Sequence, residues 1–477
     1  MDNRKLELVT DFYELTMSNC YFAKNKQDTN AYFDVFFRKI PDEGGYVIFA
    51  GLEQVIDYVK NLKFDEDDIS YLKSLNKFSD EFLNYLKSFK FTGTIWAVPE
   101  GTVVFPNEPL ITVKAPIIEA QILETALLCL INHQSLIATK SSRIVRAAKG
   151  RPVMEFGARR AHSVDAAVYG ARAAVIGGCV GTSCTLTAKE FNVSASGTMA
   201  HSFIQAFDSE YEAFKVYAEN YPDDCTLLID TYDTLNSGIQ NAIKVFNEVL
   251  VPNGYRPKAV RLDSGDLSYL SKKIRKILDE AGFEDCKICG TNALDEYIIT
   301  SILDEGAKLD LFGVGENLIT AKSNPVFGGV YKLVAIEKDG KIIPKIKISD
   351  NTIKITNPGF KKVYRFYDNN TNKALADVIA LHDEVIPSDS YTIFDPANPW
   401  KKKTLKNYTV RPIQELIFDN GKLVYTSPNL KEISENAKKE LDTLWSEVKR
   451  MKNPHKYYVD LSQKLWDLKN KLLEDKK

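Results

Sequence analysis

The chain has 477 residues, 44% of them apolar and 26% charged, with a formal net charge of −2. This is long enough for two or three domains with a sizeable core. The charge argues against a nucleic-acid binder that works by bulk electrostatics, and no apolar run in the sequence reaches membrane-spanning length. The start, MDNRKLELVTDFYELT, lacks the uninterrupted apolar core of a signal peptide. Seven scattered cysteines, an odd number, do not suggest a disulfide framework and point to a cytosolic protein. The CxxC pair Cys286 and Cys289 has no second pair, so it reads as buried reduced thiols rather than a zinc site.

Residues 5–25 carry Leu8, Phe12, Leu15, Met17 and Tyr21 near helical spacing. AYFDVFFRKIP (31–41) alternates like a strand, 45–62 reads as a strand or turn and then a helix, and 66–90 is charged and helical. Residues 91–116 are rich in β-branched residues, Gly and Pro, which suggests short strands with turns. Residues 119–148 form one or two long connecting helices. From Pro152 to Gly329, short apolar runs end in small and polar residues: VMEFGARRAH, SASGTMAHSF, TLLIDTYDT, AVRLDSGDL, CKICGTNAL and LDLFGVGENLIT. Charged helical segments separate several of them. A strand with such an end followed by a helix is the βα unit, and a series of them predicts a parallel sheet or barrel with its chemistry at the carboxyl ends. After Gly329, VYKLVAIEKDGKIIPKIKIS signals a hairpin turning at Asp339-Gly340; 351–368 is strand-rich and 427–477 charged and helical. The expected domains are a discontinuous flanking mixed α/β domain (1–135 with 330–425), a central α/β barrel (136–329) and a C-terminal helical segment (426–477).

The strand ends define the candidate site. Arg261 and Asp263 lie two apart on one strand and share a face. Asp263 offers two acceptors to vicinal hydroxyls and Arg261 a fork for a carboxylate, or the two close a loop as a salt bridge. Ser264 and Gly265 then form a turn whose amides can face an anion. Gly290 with Thr291, and Gly313 with Gly315, read as phosphate cradles or as glycines needed for turn geometry. Phe156 beside Arg159, Arg160 and His162 can stack on a ring while an arginine binds phosphate, or pack in the barrel mouth. His201, after Thr198, is a candidate nucleophile or base, or a structural hydrogen bonder; Asp230 and Asp233 can orient it, hold a metal ion or serve as turn residues.

These motifs together, with TDFYELTM (10–17) and GVYKL after the second glycine loop, resemble the nicotinate phosphoribosyltransferase family over most of the chain. The resemblance implies a type II phosphoribosyltransferase fold: an irregular α/β barrel with a flanking β-rich mixed domain. It implies a homodimer with shared active sites that joins nicotinate to 5-phosphoribosyl-1-diphosphate in NAD salvage. Mg²⁺ is required, and ATP hydrolysis is coupled through a phosphohistidine. On this resemblance His201 takes the phosphate and Asp230 supports it. Tyr13 from the neighbouring subunit and Phe156 sandwich the pyridine, Thr198 and Arg261 contact nicotinate, and Asp263 binds the ribose. Arg159, Gly290, Thr291, Gly313, Gly315 and Thr320 hold the phosphoribosyl donor. Glu316 and Asn317 depart from the expected small residues, and an acid there repels phosphate unless a cation intervenes. Nicotinamide-using relatives carry an Asp where Ser183 stands, so a segment 176–187 without acidic residues favours the acid substrate. The remaining alternatives are a nicotinamide or quinolinate phosphoribosyltransferase, or a non-catalytic nucleotide binder.

Overall fold

The structure, a computed structural model, describes residues 5–475. The chain divides into two compact units, Met1–Leu136 with Val326–Lys477, and Ile137–Pro325. Residues 1–4 and 476–477, at the ends of the expected flanking domain and C-terminal segment, lie outside the described residues.

The discontinuous unit is built on a seven-stranded sheet. Its order is Lys341–Pro344, Val330–Lys338, Asn30–Phe36, Ile111–Pro116, Thr94–Ala97, Glu415–Asp419 and Lys422–Leu423, all antiparallel. Asp339 and Gly340 both take positive φ, 51° and 71°, which matches the twist of the strands they join. A second sheet carries Tyr408–Pro412, Lys361–Asp368, Ala374–Leu381 and Val459–Leu461. The expected helical segment over 426–477 carries the helices Leu430–Thr443 and Gln463–Glu474, with this last strand between them. The segment belongs to this unit and pairs in parallel with Asp377–Ile379. Three strand residues between charged helices are too short to show a period of two in the sequence.

The second unit holds five parallel strands in the order Val153–Glu155, Leu311–Val314, Lys287–Gly290, Ala259–Leu262 and Thr226–Leu228. Bridges from Glu155 to Thr182 and from Thr182 to Ala195 extend the sheet past its first strand. Taken round the sheet, these segments follow cyclic chain order. Among the described residues the ladder does not close between Ala195 and Thr226–Leu228, which makes the barrel irregular. The helices that follow the strands start on side-chain caps: Asp266 accepts from the Tyr269 amide, and Asp295 from the amides of Tyr297 and Ile298. Leu267, Ile274 and Leu278 line the buried face of Leu267–Glu280.

The helices Ile117–Ile122 and Glu124–Ala147 carry the chain from one unit into the other. The stretch Ile117–Ala147 is long and apolar enough to cross a membrane by length and composition, contrary to the sequence reading. Most of its apolar window, 61%, is buried in the protein, as in a core helix.

Candidate active site

The strand ends of the barrel unit bring Phe156, Thr198, Met199, Asp263 and Thr291 around one guanidinium. Arg261 projects from the end of Ala259–Leu262 and is half-buried. Its Nε donates to Thr291 Oγ1 at 3.1 Å, and its Nη1 to Thr198 Oγ1 at 3.0 Å and the Met199 carbonyl at 3.2 Å. Its Nη2 lies 3.2 Å from Asp263 Oδ1, and the guanidinium stands 5.9 Å from the centroid of the Phe156 ring. Three strand ends therefore converge on it. The Thr291 hydroxyl also donates to Asp263 Oδ1, so one carboxylate oxygen is held by two donors while the other, Oδ2, faces His201 Nε2 at 3.6 Å.

His201 opens the short helix His201–Gln205, and its Nδ1 lies 3.1 Å from Thr231 Oγ1. Asp230 is buried. Its Oδ2 accepts from the Asp263 amide at 2.7 Å and from Ser264 Oγ at 2.6 Å, while its Oδ1 has no hydrogen-bond partner among the described residues. Gly265 continues the turn at φ +73°.

Phe156 hangs from a turn fixed beneath it. Glu155, fully buried, accepts from the Gly157 amide and from Thr182 Oγ1 at 2.6 Å, and burial pushes its carboxyl up. The ring lies on Gly313: a Cβ there would meet Phe156 Cδ2 at 2.4 Å and Thr291 Cγ2 at 2.8 Å. Gly290 is similarly covered by Leu309, 2.9 Å from where its Cβ would stand. Both glycines are buried in strands, and each lets a side chain close over it. The open backbone comes one step later. Asn292 and Ala293 take φ of 93° and 45°, and among the described residues no acceptor meets the amides of 292–295. Successive free amides in a turn form an anion-binding concavity. The helix Glu316–Ile319 begins at Gly315 with no side-chain cap, which leaves its first amides open as well.

Three family models match the chain: the N-terminal domain of nicotinate phosphoribosyltransferase at residues 8–132, the nicotinate phosphoribosyltransferase family at 152–379, and the C-terminal domain at 360–469. The nicotinate phosphoribosyltransferase of Bacillus subtilis is 46% identical over 475 residues, covering 99% of this chain and 96% of its own. One from Mycobacterium tuberculosis is 40% identical over 460 residues, covering 96% and 92%. The crystal structure of human nicotinic acid phosphoribosyltransferase matches with a TM-score of 0.87 at 28% identity, over 98% of this chain and 100% of that one. The chain belongs to the nicotinate phosphoribosyltransferase family.

Set against the roles that the family resemblance implies, the geometry makes one reassignment. Asp230 does not touch His201, because its one bonded oxygen is taken by Asp263 and Ser264; the groups that face the imidazole are Thr231 and Asp263. Asp233 is a turn residue. It caps Leu235 and Asn236, whose bonds hold its carboxyl below the ordinary range. Thr320 Oγ1 donates to the Glu316 carbonyl at 2.8 Å, closing its own short helix. Arg159 is exposed with no ion pair among the described residues, and His162 is exposed. Tyr13 is exposed on the helix Phe12–Ala23 of the other unit. Glu316, the acid expected to repel phosphate, has its cations: Lys322 Nζ at 2.7 Å and Arg160 Nε at 3.8 Å, with Lys322 first in holding its carboxyl low. Cys286 and Cys289 are buried and free, and burial pushes both thiols up to about 12.

Sequence reasoning missed Thr231, Glu155 with Thr182, and the side chain of Asn317. Thr231 sat inside the DTYDT motif, where its two acids drew attention. Glu155 precedes the EFGARRAH aromatic and carries no signal of burial. Asn317 showed only as a departure from the family pattern.

Proposed function

We propose that the protein joins nicotinate to 5-phosphoribosyl-1-diphosphate, giving nicotinate mononucleotide and diphosphate, with ATP hydrolysis coupled through a phosphohistidine at His201. The observation that carries this reading is the placement of Arg261 beside the Phe156 ring, held by Thr198 and Thr291 and two residues from a carboxylate. The ring stacks on the pyridine, while the guanidinium offers its remaining Nη2–H and its charge to the nicotinate carboxylate. Asp263 accepts the ribose hydroxyls. The open amides of 292–295, the first turn of Glu316–Ile319 and Arg159 take the phosphates.

In the transfer, the pyridine nitrogen lone pair forms the bond to C1′ as the bond from C1′ to the diphosphate oxygen breaks. No base is required, because the nitrogen carries no proton. The chain holds both ends in line and answers the charge that leaves with diphosphate. Mg²⁺ fits the donor set here. Asp230 offers a buried carboxylate oxygen without a hydrogen-bond partner among the described residues, and it would hold the ion there; the ion would supply charge neutralisation to the phosphates. In the separate ATP step, an Nδ1–H donated to Thr231 leaves Nε2 with its lone pair. Nε2 attacks the γ-phosphorus and the bond to the ADP oxygen breaks. The imidazolium formed lies beside Asp263 Oδ2.

Ser183 supports acid over amide. It stands exposed next to the Glu155–Thr182 pair with its amide bonded to the Glu155 carbonyl, and 176–187 brings no carboxylate that would repel nicotinate. Tyr13 supplies the second face of the pyridine sandwich from a neighbouring copy, in a cytoplasmic homodimer.

The test is a mononucleotide-forming assay with phosphoribosyl diphosphate and Mg²⁺, comparing nicotinate, nicotinamide and quinolinate with and without ATP. Nicotinate-selective, ATP-stimulated product is expected, and His201→Ala should lose the ATP stimulation while retaining transfer at high donor concentration. Product from nicotinamide, or full ATP stimulation in the variant, would overturn the corresponding part of the proposal.

A further inference from the structure

Asn317 has a bonding pattern that its position in a glycine loop does not explain. Its Nδ2 donates to the Ala293 carbonyl at 2.7 Å and lies 3.3 Å from the Leu294 carbonyl. Two carbonyls can be faced only by the NH₂ end of the carboxamide, so its orientation is determined by its partners. The backbone it grips is the costly one. Ala293 sits at φ 45°, directly after Asn292 at 93°. Asparagine tolerates the left-handed region, but alanine has a Cβ that opposes it and no side-chain hydrogen bond in return. The turn also carries the open amides. In a trans peptide the N–H points opposite to its carbonyl, and there is no cis peptide among the described residues. Pinning the carbonyls of Ala293 and Leu294 therefore sets the directions of the Leu294 and Asp295 amides.

We infer that Asn317 is a positioning residue that holds the strained Asn292–Ala293 turn in the conformation that presents its amides to the phosphates of the phosphoribosyl donor. This rests on the proposed function. It gives the Asn317 departure from the family pattern a purpose: the loop after Leu311–Val314 braces the loop after Lys287–Gly290. The side chain acts on the donor end alone, since its hydrogen bonds go to the Ala293 and Leu294 carbonyls and, among the described residues, none reaches Phe156, Arg261 or His201.

The test uses steady-state kinetics of the full chain, with donor and nicotinate varied separately, on wild type, Asn317→Ala and the double variant Asn317→Ala/Ala293→Gly. Loss of the two bonds should raise the donor KM about tenfold, equivalent to about 1.4 kcal/mol, with nicotinate KM and thermal midpoint unchanged. Glycine adopts the left-handed turn without the Cβ penalty, so the double variant should recover most of the donor KM. An unchanged donor KM in Asn317→Ala, a parallel rise in both KM values, or no recovery in the double variant would overturn the inference. If wild type forms no mononucleotide, the functional proposal itself fails, whatever Asn317 does.

Discussion

Gly313 shows how a glycine marked by its spacing can serve a packing contact that the spacing does not reveal. The sequence marks it by its spacing to Gly315, and a glycine at a strand end beside a helix suits a phosphate. The structure puts an aromatic ring on it. The hydrogen of Gly313 is what lets the Phe156 ring approach this strand, and an added methyl would have Phe156 and Thr291 both inside contact distance. Gly313→Ala should therefore displace the ring. The nicotinate KM is expected to rise about tenfold or more, with a smaller change in donor KM, by the overpacking cost of about 1–3 kcal/mol. Separate KM measurements check this, and a selective rise in donor KM would favour the phosphate role. Glycine spacing is legible in the sequence, whereas the identity of the atom that needs the missing Cβ is a contact across strands and is not.

Elements were the most legible level. The helix near the start, the hairpin at Asp339-Gly340 and each strand of the βα series can be read from period and turn chemistry, because both are local. What fastens an element is less so. The helix Phe12–Ala23 is tied by Glu14, fully buried, whose carboxylate accepts from Thr10 and Thr125, each at 2.5 Å. Burial outweighs those bonds and raises its carboxyl from 4.5 to about 7. Because the folded value is the higher one, the folded state binds the proton more tightly. Its contribution to stability is present below about 4.5 and is lost as pH rises towards about 7. Glu14→Gln, which cannot ionise, should flatten that part of the curve of unfolding free energy against pH. A curve identical to wild type between those values would show that Glu14 titrates normally.

At the scale of the molecule, the discontinuous unit is held by ions that no local pattern announces. Arg365 is fully buried. It bonds Asp377 through Nε at 2.9 Å and Nη2 at 2.6 Å, Glu440 through Nη1 at 2.8 Å and the Val103 carbonyl at 2.7 Å, while Tyr457 adds its hydroxyl to Asp377 at 3.0 Å. This network joins residues from both sequence pieces of the unit and from the C-terminal segment that looked like a separate helical tail. Arg365→Met leaves the buried Asp377 without its cation and Glu440 with Arg411 alone. It should cost about 3–5 kcal/mol in urea unfolding, and a loss below about 1 kcal/mol would show the carboxylates finding other partners or protons. By itself the sequence determined the βα series, the positions of Arg261, Asp263, His201 and Phe156, and the family, since each is carried by residues adjacent along the chain. Only the tertiary structure decided that Thr231 and Asp263, not Asp230, face His201, that Gly313 serves a ring, that Glu316 is answered by Lys322 and Arg160, and that the last fifty residues complete a sheet. Those outcomes depend on side chains brought together from distant segments, and pairwise contact at that separation leaves no periodic mark in one sequence.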